Sequence, residues 1–167
     1  VKKLEKIIEQ MTKDDPVVQL IRTIPGAGLI TATTIRAYLD DISRFATAKQ
    51  LAAYAGVVPW VQNSGDRERY GRITKRGPSE LRTALVQVVL GMVRTKRRTG
   101  GYRIMERYDR LKRAKGSGRS IIATARTLSE IIWHMLDGNE PFDEARMKNP
   151  EIRRKAMEMQ AAAFDAA

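Results

Sequence analysis

The residues best suited to chemistry lie in the run Gln62-Asn63-Ser64-Gly65-Asp66-Arg67-Glu68-Arg69-Tyr70-Gly71-Arg72-Ile73-Thr74-Lys75-Arg76-Gly77. Asn63 to Asp66 has the composition of a turn, and a turn presents its serine hydroxyl outward. Five cations, Arg67, Arg69, Arg72, Lys75 and Arg76, follow Ser64 closely. A serine hydroxyl is a weak nucleophile until it is activated. Attack on a phosphodiester also builds negative charge on the equatorial oxygens, which arginines can stabilise while holding the phosphate in line. The same residues also make an ordinary polar turn, so the run by itself leaves both readings open. Arg82, at the start of the next helix, is a weaker candidate for the same phosphate-binding work.

Three further groups could carry function. In Ile24-Pro25-Gly26-Ala27-Gly28 two glycines join two short helices, as in a helix-hairpin-helix element. There Gly26 and Gly28 would bring backbone N–H groups to a phosphate, aided by the partial positive charge of the next helix start. A tight helix–helix turn needs glycine for its dihedrals alone. The stretch from Arg94 to Lys115, with the loop carrying Lys112, Arg113 and Arg119, can track a nucleic-acid backbone. Tyr102 and Tyr108 in that stretch have the spacing of a buried stripe. The lone His134, beside Trp133, reads as a partly buried structural histidine. Asp14-Asp15 and Asp40-Asp41 sit at breaks where helix caps belong, and neither pair suggests a metal site.

The elements that must position these residues are mostly helices. Leu4, Ile7, Ile8 and Met11 give Lys2 to Thr12 an amphipathic pattern. Pro16 is set for a helix start before Val17 to Thr23. Leu29 to Tyr38 follows the glycine turn, then a loop from Asp40 to Phe45. Thr47 can cap a helix to Tyr54, which Gly56 ends. Val57 to Val61 predicts a short strand, paired across Asn63–Asp66 with Arg69 to Thr74. A long helix runs from Gly77-Pro78 to about Thr95, with Leu81, Leu85, Val88, Val89 and Met92 on one face. Tyr102 to Lys115 is a basic helix. Gly116-Ser117-Gly118 reads as a flexible joint, and Ser120 as the cap of a last core helix, Ile121 to Leu136. The glycines at 65, 71 and 77 predict a mobile Ser64 loop. The expected fold class is mainly α, with a helix-hairpin-helix-like element and a small β-hairpin or loop carrying Ser64.

Composition narrows the function classes. The 167 residues suit one domain or a domain with an appendage. Aromatics are only 6% of the chain, so the core must be Leu, Ile, Val, Ala and Met. The net charge is +12. Between Gly65 and Arg119 there are 17 Lys and Arg against five Asp and Glu, which leaves 14 of each sign elsewhere. The whole excess therefore sits in the middle third, a footprint for a polyanion. With no cysteine and one histidine, disulfide, thiolate-zinc and multi-histidine sites are excluded. No run of about 18 apolar residues marks a membrane span and no signal peptide is evident. A cytoplasmic, nucleoid-associated prokaryotic protein is the expectation. The chain opens on Val within a helical pattern, as a segment of a longer protein would.

Taken together, the short motifs resemble a known family. Ile24-Pro25-Gly26-Ala27-Gly28, then Arg44-Phe45 with Lys49-Gln50-Leu51-Ala52-Ala53-Tyr54-Ala55-Gly56-Val57-Val58-Pro59, then Ser64-Gly65, then Gly71-Arg72-Ile73-Thr74-Lys75-Arg76-Gly77 with Leu81-Arg82, recur in that order. They are similar to the C-terminal, serine-bearing domain of insertion-sequence transposases that carry an N-terminal RuvC-like four-carboxylate domain; pilin-type DNA invertases share the plan. The resemblance runs from about Asp15 to Asp143, where the segment from Ile122 through Trp133 and Glu140-Pro141-Phe142 looks like the family's closing helix. It implies a DNA recombinase in which Ser64, at the family's Ser-Gly position, forms a phosphoserine link to a DNA strand. It also implies Mg2+ in the RuvC-like half, an element-encoded guide RNA, and a homo-oligomer with a composite site. The RuvC-like half would lie before Val1, so this piece is expected to be inactive alone.

On that basis residues 1–14 are expected to be the end of a coiled-coil-like interdomain helix, 15–143 the serine domain, and 144–167 a peripheral helical tail. Two rival readings remain: a nucleic-acid-binding module without chemistry, and an oligomerisation domain.

Overall fold

The computed structural model describes residues 2–64 and 67–148, with the backbone alone for 61–64, 67–70 and 72. Nine helices and one two-stranded antiparallel sheet occur among the described residues, so the fold is mainly α. In chain order they are α1 (Lys2–Thr12), α2 (Pro16–Arg22), α3 (Leu29–Leu39), a 3-10 turn (Ile42–Arg44), α4 (Ala48–Tyr54), β1 (Pro59–Ser64), β2 (Arg67–Ile73), α5 (Ser79–Arg94), α6 (Lys96–Thr99), α7 (Arg103–Lys115), α8 (Ser117–Asp137) and α9 (Glu144–Met147).

Local signals start these helices. The Asp15 carboxylate accepts from the Val17 and Val18 N–H groups and caps α2, with Pro16 at its first position. Thr47 accepts from Gln50 N–H and caps α4. Asp41 accepts from the Ser43 N–H, so the expected loop at 40–45 contains a capped 3-10 turn. Both acidic pairs therefore serve as caps. The first acid also ties two elements together: Arg36 Nε on α3 lies 3.1 Å from Asp15 Oδ2.

The core is built by α8 packing against α2, α4, α5 and α7. Leu81, Leu85, Val88, Val89 and Met92 of α5 are all buried, the spacing of one helical face. Leu128 and Ile132 meet them from α8. Full burial of one such side chain is worth about 1.5–3 kcal/mol, so this layer supplies much of the driving force. Tyr102 and Tyr108 are buried, as their stripe predicts. Trp133 Nε1 donates to Phe45 O at 2.8 Å, pinning the end of α8 over the 3-10 turn.

The structure corrects three expectations. Gly116-Ser117-Gly118 is not a joint: only Gly116 (φ +80°) makes the turn, and Ser117 and Gly118 already lie in α8. A glycine costs a helix about 1 kcal/mol, which the packing of the following turn offsets. Ser120 is accordingly not a cap; it is buried inside the helix and its Oγ donates to Ser117 O. His134 is exposed rather than partly buried, its ring edge-on to Trp133 with centroids 5.0 Å apart. Of the tail, α9 is the part that falls within the described residues; 149–167 lie outside them.

Candidate nucleic-acid interface

The hairpin is longer than its sequence pattern suggests. Pairing runs from Pro59 opposite Ile73 to Ser64 opposite Arg67, so Asn63 and Ser64 belong to a strand. The connecting residues, Gly65 and Asp66 of the expected turn, lie outside the described residues. Arg69 is registered with Gln62 and Glu68 with Asn63. The register shifts between Pro59 and Val61, so Gly71 and Arg72 together face Trp60. Such a bulge bends and twists a strand. Ser64 thus ends β1, and Arg67, Arg69 and Arg72 all sit on the strand beside it.

The hairpin stands on a fixed base. Thr74 N–H donates to Val58 O at 2.9 Å and Lys75 N–H to Gly56 O at 3.3 Å. Gly77 (φ +114°) lies so close to α4 that a Cβ would fall 1.8 Å from Tyr54 O. At Gly56 (φ +67°) a Cβ would fall 2.5 Å from Arg76 O. These glycines let the exit of β2 press onto the end of α4. Lys75 also has a positive φ of 51°, a conformation uncommon outside glycine. Lys75 and Arg76 are exposed at this foot. Arg82 is half-buried, and its NH1 donates to Ala55 O at 3.3 Å. It braces the same foot from α5.

Sequence reasoning passed over Trp60. It is 48% exposed, and its ring covers Gly71, where a Cβ would meet Trp60 Cε3 at 3.0 Å. The signal was available: a tryptophan in Pro-Trp-Val-Gln-Asn-Ser, on a hairpin of only two strands, has no second layer to bury it.

The other candidates lie elsewhere. Gly26 (φ +90°) turns its Cα side onto α5, where a Cβ would sit 2.7–2.8 Å from Met92 N, Gly91 C and Val88 O. Gly91 is its counterpart, since a Cβ there would meet Gly26 Cα at 2.7 Å. Gly28 faces open space and precedes α3, but its N–H already donates to Thr31 Oγ1 at 3.0 Å. Lys112, Arg113 and Arg119, with Lys115, are exposed around the sharp α7–α8 turn at Gly116. Lys112 Nζ rests 6.0 Å from the Tyr108 ring centroid, within cation–π range. Among the described residues no three His, Asp or Glu side chains come together as a metal site. No helix there is long and apolar enough to cross a membrane.

The sequence profile of the transposase IS116/IS110/IS902 family matches residues 18–103, just over half of the chain and a span that includes the hairpin and its foot. The chain is 31% identical over 139 residues to the transposase for insertion sequence element IS1111A of Coxiella burnetii, covering 83% of this chain and 38% of that protein. It is 35% identical over 92 residues to a probable family 20 transposase of Pseudomonas aeruginosa (55% of this chain, 27% of that protein). It is 32% identical over 130 residues to the pilin gene-inverting protein of Moraxella lacunata (75% and 38%). The chain thus spans well under half the length of these relatives. With that profile match over more than half of its length, the chain belongs to the IS116/IS110/IS902 transposase family.

Proposed function

We propose that this chain is the serine-bearing part of a DNA recombinase acting in transposition or inversion, with Ser64 as the nucleophile. The observation that carries the reading is the hairpin: Ser64 ends one strand, three arginines occupy the other, and Lys75 and Arg76 lie exposed at a base locked by Gly56 and Gly77. In the step, Ser64 Oγ forms a bond to the scissile phosphorus and the bond from phosphorus to one deoxyribose oxygen breaks. The serine proton passes to a base and the departing oxygen takes one up. The ester is conserved, so a second DNA hydroxyl can displace the serine with no nucleotide cofactor. Arg67, Arg69, Arg72, Lys75 and Arg76 hold the phosphate and its developing charge. Arg82 adds its remaining guanidinium nitrogens while bracing the foot. A phosphate beside Gly26 and Gly28 would be met by the Leu29 and Ile30 N–H groups at the start of α3, the Gly28 N–H being taken by Thr31.

The division into parts follows. Residues 15–143 form the serine domain. The helix in residues 1–14 belongs to an interdomain helix and 144–167 to a peripheral tail. Mg2+ is assigned to a RuvC-like half, as the family resemblance implies. A guide RNA would lie on the cations from Arg94 to Arg119. A homo-oligomer is supported by α1, whose Leu4 and Met11 are 65% and 78% exposed on one face.

The test uses the longer transposase that carries this sequence, with its DNA, guide RNA and magnesium. Ser64→Ala is expected to leave DNA affinity within about two-fold and to abolish strand transfer, with loss of a denaturation-resistant protein–DNA adduct that maps to Ser64 by mass spectrometry. Strand transfer that persists in Ser64→Ala overturns the nucleophile and leaves a binding module.

A further inference from the structure

Trp60 is the large aromatic among the described residues that the fold itself does not use. Trp133, the other tryptophan, is half-buried and hydrogen-bonded to Phe45 O. Trp60 is backed on one side by Gly71 and is about half open to solvent. The absence of a side chain at Gly71 leaves room for the ring, whose Cε3 would lie 3.0 Å from a Cβ there, and the bulge in β2 at Gly71 and Arg72 places two residues against this one. The ring is thus backed by the neighbouring strand and half open to solvent, as a stacking platform must be.

Its surroundings decide what can cover it. β2 carries Arg67, Arg69 and Arg72 against one acid, Glu68, and continues into exposed Lys75 and Arg76. An apolar protein surface seated on Trp60 would strand these cations without counter-charge, which is expensive on desolvation. A nucleic-acid strand answers both features at once, phosphates for the cations and a base for the ring. An indole stacks only on a base whose own face is free, and a continuous duplex hides its base faces.

We propose that Trp60 stacks on an unpaired base of the DNA strand held at this hairpin, positioning that strand for Ser64. This rests on the DNA-recombinase reading above. Four residue steps along the strand lead from Trp60 to Ser64, about 13 Å at 3.3 Å per residue. That equals about four steps of a B-form strand at 3.4 Å each. The stacked base therefore lies a few nucleotides from the phosphate that reacts. Because every base has a π-face, the contact fixes the strand's path without reading its sequence.

The experiment uses the 167-residue chain, a fluorescein-labelled 12-nucleotide DNA strand for anisotropy, and the unlabelled strand for tryptophan emission. Trp133→Phe leaves Trp60 as the sole tryptophan; if that variant does not fold, the difference between the unaltered chain and Trp60→Phe isolates the same emission. Saturating single-stranded DNA is expected to quench Trp60. Trp60→Ala is expected to weaken single-strand binding about 5- to 150-fold, the range of one base–aromatic stack. Trp60→Phe should restore most of it, and the loss on a blunt duplex should be smaller. DNA that binds by anisotropy without quenching Trp60, with Trp60→Ala unchanged in affinity, overturns the stacking role and leaves the DNA reading intact. Quenching by an RNA 12-mer and not by DNA overturns the assignment to a DNA strand. No DNA binding by any variant at low salt overturns the stacking role together with the hairpin as a DNA-holding surface, while the recombinase reading is judged separately by the Ser64→Ala strand-transfer test.

Discussion

At the scale of single residues, the glycines are the positions where sequence and structure say different things. Gly77 reads in sequence as a spacer that loosens the Ser64 segment. In the structure it does the opposite, pressing the chain onto Tyr54 at a φ that no L side chain adopts comfortably. Gly77→Ala must move backbone, because the obstructing atom is a carbonyl oxygen of α4. The expected loss is on the order of 2 kcal/mol or more, from backbone strain plus displacement. Urea unfolding of the chain checks it, and a loss below about 0.5 kcal/mol would mean the foot is not locked. Gly26 teaches the same lesson. Its motif suggests a phosphate, yet the space beside its Cα is taken by α5. Sequence shows that a glycine is required at such a place and is silent on whether a ligand or another helix comes close. His134 was illegible for a related reason: its exposure depends on which neighbours the fold supplies, and those are distant in sequence.

At the scale of elements, the helices were the legible part. Asp15 and Thr47 start theirs by accepting backbone N–H groups within three residues, and the α5 stripe buries as its period requires. The hairpin was legible in place and not in extent, since Gln62, Asn63 and Ser64 carry no alternating pattern and are held by cross-strand pairing instead. The α7–α8 turn is the element most open to test. Lys112, Arg113, Lys115 and Arg119 crowd one exposed corner, and crowded like charges are tolerated where a polyanion is to relieve them. Replacing all four by Gln is expected to leave folding nearly unchanged, since exposed substitutions stay within about 0.5 kcal/mol. The slope of log affinity against log salt for duplex DNA should fall by about 0.9 for each phosphate that is no longer neutralised, or about 3 if most of the four cations are engaged. An unchanged slope would take this corner out of the nucleic-acid surface.

At the scale of the whole molecule, the question is what closes the chain's end onto its body. Phe142 N–H donates to Thr23 Oγ1 at 2.8 Å, and Tyr102 pairs with Lys148 as an isolated bridge. Between them Glu144 meets Arg98 in an ion pair that links α9 to α6. The hydrogen bond from Arg98 holds the Glu144 carboxyl below its usual value of 4.5. A depressed carboxylate stabilises the fold above its unfolded value, and that contribution disappears as pH falls through the lower folded one. On the other side, burial raises the Tyr102 phenol above 10.0, with the Glu144 carboxylate adding to the rise. A raised phenol stabilises the fold below pH 10 and fails as pH climbs through the folded value. The closure is therefore a contact with two pH limits, both passing through Glu144. Thermal melts between pH 3 and pH 11 should show the unaltered chain losing stability at each end. Glu144→Gln should be flatter below pH 4.5, because the carboxylate whose protonation releases the contact is gone. On a tyrosine absorbance titration its Tyr102 should ionise at lower pH, because the carboxylate charge that opposed ionisation is gone, and its alkaline loss of stability should be smaller. Superimposable melting curves for the two proteins at acid pH would mean that α9 rests on α6 by packing alone, with its ion pair contributing nothing to the fold.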